Sequence, residues 1–153
     1  MSGLKKWSIP TWIFFHTFAA KINEKFYIKN RKMVLFIIKI ICRNLPCSEC
    51  SKHASIFMEN VNIHNVKTKQ DFIKMLWTFH NSVNKRTGKK IFKEENLGKY
   101  NNFRIDYAFI NFINNYSTRF GFLIGGVMTN LFTRRNISKN LTNWMRTNWK
   151  YFQ

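Results

Sequence analysis

The chain has 153 residues, 26 Lys and Arg against 7 Asp and Glu, and a formal charge of +19. At this length one domain of ~100–150 residues with at most a tail is predicted, and 45% hydrophobic residues with 16 Phe exclude a wholly disordered chain. Three cysteines exclude a disulfide-dense secreted scaffold.

The charge first suggests nucleic acid or an anionic membrane. Lys outnumbers Arg 18 to 8, however, and Phe, Ile, Asn and Lys, residues with A/T-rich codons, supply 70 of the 153 positions. Codon bias therefore accounts for part of the excess. The basic residues are spread along the chain, with no run of five that would form a basic tail.

The N-terminus, with Lys5-Lys6 before Trp12-Ile13-Phe14-Phe15, loosely mimics a signal peptide, but Pro10 and His16 interrupt the apolar run. A first helix over residues 11–22 follows Pro10 and puts Trp12, Phe15, His16 and Ala19 on one face. A second over 29–44 carries Val34, Leu35, Ile37, Ile38 and Ile41, and Pro46 stops it. A third runs over about 47–60, with Ala54, Phe57 and Met58 inward. A fourth opens at Thr68, a plausible N-cap, and carries Phe72, Met75, Leu76, Phe79 and Val83 before Gly88 ends it. A short fifth helix covers about 93–100. Residues 103–153 have a different character and read as further helix: apolar stretches over 105–113 and 120–132, then a polar segment ending in Trp144, Trp149, Tyr151 and Phe152. The 120–132 stretch is too short for a ~20-residue membrane span; flanked by Arg119 and Arg134, it is a candidate for interfacial membrane contact. The predicted fold is all-α: an up-and-down bundle with its core in residues 1 to about 100, followed by a C-terminal extension.

Three motifs carry chemistry. Pro46-Cys47-Ser48-Glu49-Cys50 sets a Cys-x-x-Cys at a helix N-terminus, where the dipole and free N–H groups favour thiolate. Such a pair can accept electrons from a dithiol as a disulfide. The same spacing serves structural zinc, with His53 and either His16 or His80 completing a set, or arises from two buried thiols. In Trp77-Thr78-Phe79-His80-Asn81-Ser82-Val83-Asn84, His80 and Asn84 share a helix face with Asn81 beside them, and Gly88-Lys89-Lys90 follows. That pattern marks a polar site on an apolar helix or a helix emerging into solvent. Trp12 and His16, i and i+4, make a wall for a planar heterocycle, or are a core Trp beside a surface His.

In this order, over about 80 residues, the three motifs resemble the Erv/ALR family of FAD-dependent sulfhydryl oxidases, and most of all its branch in large cytoplasmic DNA viruses such as the asfarviruses and poxviruses. The resemblance covers residues ~7 to ~100. It implies a four-helix bundle with a short fifth helix over residues 1–102, FAD between the helices, and an extension, 103–153, without a counterpart in the family core. Carried over, Trp12 and His16 contact FAD; His80, Asn81, Val83 and Asn84 contact its adenosine and diphosphate portion; Lys89 reaches the phosphates; and Glu49 approaches the flavin. Cys50 is the flavin-proximal sulfur and Cys47 the one a substrate thiol attacks.

The implied reaction turns a protein dithiol into a disulfide and passes the electrons through FAD to oxygen, giving hydrogen peroxide. Cellular members commonly carry an additional shuttle pair and a structural disulfide. Here only Cys42 remains, expected to be a buried free thiol, so electrons must come directly from a separate dithiol partner, a small thioredoxin-like or Cys-x-x-Cys protein. Family members are usually homodimers, and the viral branch implies host cytoplasm or virion. The rival readings are a non-catalytic zinc-binding helical module and a basic nucleic-acid-binding protein; the latter explains neither the Cys pair nor the His-Asn motif.

Overall fold

The computed structural model describes residues 6–118 and 125–153. Its helices are α1 (Ser8–Lys21), α2 (Glu24–Arg43), α3 (Ser48–Glu59), α4 (Lys69–Arg86), α5 (Ile105–Tyr116) and α6 (Gly125–Asn148), with 3₁₀ segments at Ile63–Asn65, Glu94–Asn102 and Trp149–Tyr151. Among the described residues there is no strand, and no helix is long and apolar enough to cross a membrane. Of the apolar stretch 120–132, residues 120–124 lie outside the described residues, as do residues 1–5 of the signal-like N-terminus.

Local chemistry sets the helix ends. α1 starts three residues before the predicted position. Pro10 sits inside its first turn, where a missing N–H breaks no intrahelical bond, and the Thr11 hydroxyl donates to the Trp7 carbonyl at 2.6 Å. α2 starts at the Asn23 cap, whose Oδ1 accepts the Phe26 N–H at 2.9 Å. α4 carries a full capping box: Thr68 Oγ1 accepts the Asp71 N–H, and the Asp71 carboxylate accepts the Thr68 N–H. Beyond its end Gly88 takes φ +71°, the left-handed conformation that favours glycine. The predicted short fifth helix is a 3₁₀ segment, Glu94–Asn102.

The core does not close at residue 100. α5 packs along α1, where Phe14 meets Phe109 and Phe112 with ring centroids 5.5 and 4.7 Å apart. α6 and the C-terminus cover the α1–α2 corner. Phe18 contacts Trp144 and Phe152, Phe26 stacks on Tyr151 at 4.2 Å, and the Asn23 N–H donates to the Tyr151 carbonyl at 2.7 Å. Phe109, Phe112, Ile137, Leu141, Met145 and Phe152 belong to the same buried cluster as the bundle residues. Each such side chain contributes ~1.5–3 kcal/mol of burial. Arg134 of α6 is fully buried and donates to the carbonyls of Tyr116 (2.7 Å) and Thr118 (3.2 Å). It places a cation at the electronegative C-terminal end of α5.

Candidate active site

The first four helices leave a cavity of about 650 Å³ between α1, the start of α3, the second half of α4 and the 3₁₀ segment. That lies within the ~300–1,000 Å³ usual for cofactor and small-molecule sites.

Cys47 and Cys50 line it and are joined as a disulfide. Pro46 ends the approach from α2, and Ser51 fixes the turn: its Oγ accepts the Leu45 N–H at 2.7 Å and donates to the Leu45 carbonyl at 3.2 Å. Cys47 is therefore the N-cap of α3, and its Sγ accepts the Cys50 N–H at 3.2 Å. The free N–H groups and dipole at this helix start stabilise negative charge on sulfur when the bond opens.

Trp12 and His80 also line the cavity, their rings stacked 4.0 Å apart and within 4° of parallel. Val83, Asn84 and Lys89 continue the lining along α4 and beyond its end. Glu49 also lines the cavity, with its carboxylate largely exposed and 3.2 Å from His53 Nε2. Eight of the ten sequence-predicted site residues thus line one cavity: Cys47 and Cys50, Trp12, Glu49 and His80, and Val83, Asn84 and Lys89.

The other two, His16 and Asn81, stand behind the lining. His16 is buried, and its Nε2 lies 2.9 Å from His80 Nδ1. Burial, then His80, then Lys99 hold the His16 pKa down to about 3; burial, then Lys89 and Lys99, hold that of His80 to about 4. Both rings are neutral near pH 7, so one donates and the other accepts. Tyr100 also stacks on His16, at 4.8 Å. Asn81 fixes the segment after α4: its Nδ2 donates to the Phe92 carbonyl at 2.9 Å and its Oδ1 accepts the Phe92 N–H at 2.8 Å. Trp77 Nε1 donates to the same carbonyl at 2.8 Å, and the Phe92 ring packs on both histidines.

The sequence reading missed several lining residues: Lys99, Tyr100 and Phe103 from the 3₁₀ region, Arg86 from α4, and Trp7. Their only advance signal was the aromatic and basic make-up of those segments. Cys42 is a free, fully buried thiol beside the cavity, and burial pushes its pKa up. The zinc set considered for the Cys pair is not assembled: among the described residues no three of His, Cys, Asp and Glu are grouped to hold a metal.

The Erv1/Alr family model matches residues 9–104, the span that builds this cavity. The chain belongs to the Erv1/Alr family. As an Erv1/Alr protein it is 33% identical over 87 residues to a protein of Arabidopsis thaliana named FAD-linked sulfhydryl oxidase ERV1, covering 57% of this chain and 45% of that relative. It is 29% identical over 85 residues to the FAD-linked sulfhydryl oxidase of African swine fever virus, covering 56% and 71%. A protein of Invertebrate iridescent virus 6 is 40% identical over 63 residues, 37% of this chain and 57% of that relative. The aligned region spans about half the length of the first of these relatives. No solved structure shows a significant match.

Proposed function

We propose that this chain is an FAD-linked sulfhydryl oxidase acting on a protein dithiol. The observation that carries the proposal is the placement of a helix-start disulfide, Cys47–Cys50, in the same cavity as the stacked Trp12–His80 pair and Lys89. The residues fit the cofactor: flat aromatic and imidazole faces suit a heterocycle, the half-buried and buried side chains of Val83 and Asn84 line the wall beside them, and Arg86, Lys89 and Lys99 suit a diphosphate. Trp12, His80, Val83, Asn84 and Lys89 would hold it and Glu49 would stand near its flavin end. His16 and Asn81 act one layer back, through His80 and Phe92.

The thiol chemistry belongs to the chain. A substrate thiolate attacks Cys47 Sγ, an S–S bond forms between substrate and Cys47, and Cys50 leaves as a thiolate at the start of α3. The second substrate thiol, as its thiolate, attacks the substrate sulfur of that mixed disulfide and releases Cys47. Two electrons have then moved from the substrate dithiol to the cysteine pair, and the two protons lost as the substrate thiols ionised go to water. Bound FAD would supply the two-electron acceptor that restores the Cys47–Cys50 disulfide and would deliver the electrons to oxygen as hydrogen peroxide.

Residues 1–102 are the oxidase unit in this reading. A homodimer would have to form on a bundle face that α5 and α6 leave open; the outer face of α2, with Met33 and Phe36 about half exposed, is such a face. The viral relatives point to host cytoplasm or virion.

Purified full-length protein tests the proposal. A flavin absorption spectrum at one FAD per chain supports it. Stoichiometric zinc without flavin overturns it and favours the binding-module reading.

A further inference from the structure

Arginine and lysine are not distributed alike along the chain. Residues 1–100 hold 16 Lys and 3 Arg, whereas residues 101–153 hold 2 Lys and 5 Arg. A codon bias acts on both stretches, so it does not produce this reversal. The acids change as well: residues 107–153 contain no Asp or Glu. Two of the five arginines have structural partners, Arg104 in Asp106 and Arg134 in the carbonyls at the end of α5. Arg119 lies outside the described residues, and Arg135 and Arg146 stand exposed on α6.

Arg135, Lys139 and Arg146 are i, i+4 and i+11. Helix geometry puts them within an arc of about 40° and spreads them over about 16 Å. All three are exposed, and among the described residues none of them forms an ion pair. Exposed Asn136, Asn140 and Asn143 flank the row. The opposite side of α6 packs on the core, with Leu131, Ile137, Leu141 and Met145 buried. Among the described side chains of α6, Phe132 is the one large apolar group in solvent, at 71% exposure. No described residue of α6 lines the disulfide cavity.

We propose that the outer face of α6 binds duplex DNA through its phosphate backbone. The row offers two guanidiniums and an ammonium with amide donors beside them, the groups that hold phosphate oxygens. Over ~16 Å it meets about five consecutive phosphates of a strand. A bilayer would need an apolar outer face, and the apolar side of α6 is buried in the core. Single strands are held by aromatic platforms, and Phe132 alone does not make one. The B-form major groove admits a helix, whereas the A-form groove is too narrow. The assignment concerns the extension alone; the Cys-x-x-Cys and His-Asn motifs belong to the bundle, whose cavity stays uncovered when α6 is bound.

The test uses full-length protein and a fluorescent DNA duplex of about 20 base pairs, titrated by anisotropy at several salt concentrations. A chain with this net charge binds DNA to some extent anywhere on its surface, so the control removes the same charge elsewhere. Lys25, Lys29 and Lys32 are exposed on α2, among half-exposed Ile28, Met33 and Phe36. Arg135→Gln with Lys139→Gln and Arg146→Gln should weaken binding at least about tenfold and lower the slope of log affinity against log salt by about three. Lys25→Gln with Lys29→Gln and Lys32→Gln should change affinity by less than about threefold. Equal losses in the two triple variants overturn the proposal, as does unchanged binding by the α6 variant. Tighter binding to an RNA duplex of the same sequence overturns it too, as does binding to phosphatidylserine vesicles but not to DNA. If the α6 triple variant unfolds, Arg146→Gln alone should lower the slope by about one, and an unchanged slope there overturns the proposal.

Discussion

His16 Nε2 and His80 Nδ1 stand 2.9 Å apart, sharing one hydrogen between two neutral rings. His16 never reaches the cavity surface; it sets the orientation of His80, which does. The folded pKa values, about 3 and about 4, lie below the ordinary 6.5. The unfolded chain therefore binds more protons than the folded one between these limits. The stability this pair contributes is complete above about pH 6.5 and is lost as pH falls toward 4 and 3. The thermal midpoint should drop steadily from pH 7 to pH 4.5, and less steeply in His16→Gln. An equal slope in that variant would refute the assignment.

Asn81 should matter to cofactor retention without lining the cavity. Asn81→Ala removes one donor and one acceptor bond to Phe92, leaving a part-buried N–H unpaired at a cost of ~1–3 kcal/mol. Faster flavin release, seen as rising free-flavin fluorescence, is the expected result. His80→Ala should release flavin as well, because it removes the ring stacked on Trp12. Full occupancy in either variant would place these side chains outside the cofactor site.

Phe112→Ala tests whether residues beyond 102 belong to the core. Phe112 is fully buried, stacked on Phe14 and Tyr116. Truncation of such a ring costs ~3–5 kcal/mol, so the thermal midpoint should fall by many degrees. A change near zero would mean that α5 is dispensable to the bundle.

Arg134→Met should destabilise by ~1–3 kcal/mol, because the Tyr116 and Thr118 carbonyls lose their donor at the end of α5. Urea unfolding would read this directly. An unchanged midpoint would show that these carbonyls find other partners.

Local signals carried much of this in the sequence. Thr68 announced the start of α4, Pro46 the end of α2, and the Cys-x-x-Cys the start of α3. What stayed hidden was tertiary. Phe14 and Phe112 each lie in an apolar stretch of the sequence, but nothing local shows that the two rings stack on each other across about a hundred residues. Helical spacing put Asn81 beside His80, yet its turn toward Phe92 depends on where the segment after Gly88 runs. Pro10 looked like a boundary because proline breaks helix interiors, and the structure sets it in the first turn, where that penalty vanishes. The depth of His16 comes from Tyr100 and His80 packing on it from other elements.

The central claim is that the Cys47–Cys50 pair passes electrons from a dithiol to a flavin in this cavity. Oxygen uptake by flavin-loaded protein given dithiothreitol tests it most directly, with Cys50→Ser alongside. The account predicts steady uptake by the wild type and uptake near zero in a variant that keeps its flavin spectrum. Equal uptake by the two would contradict it.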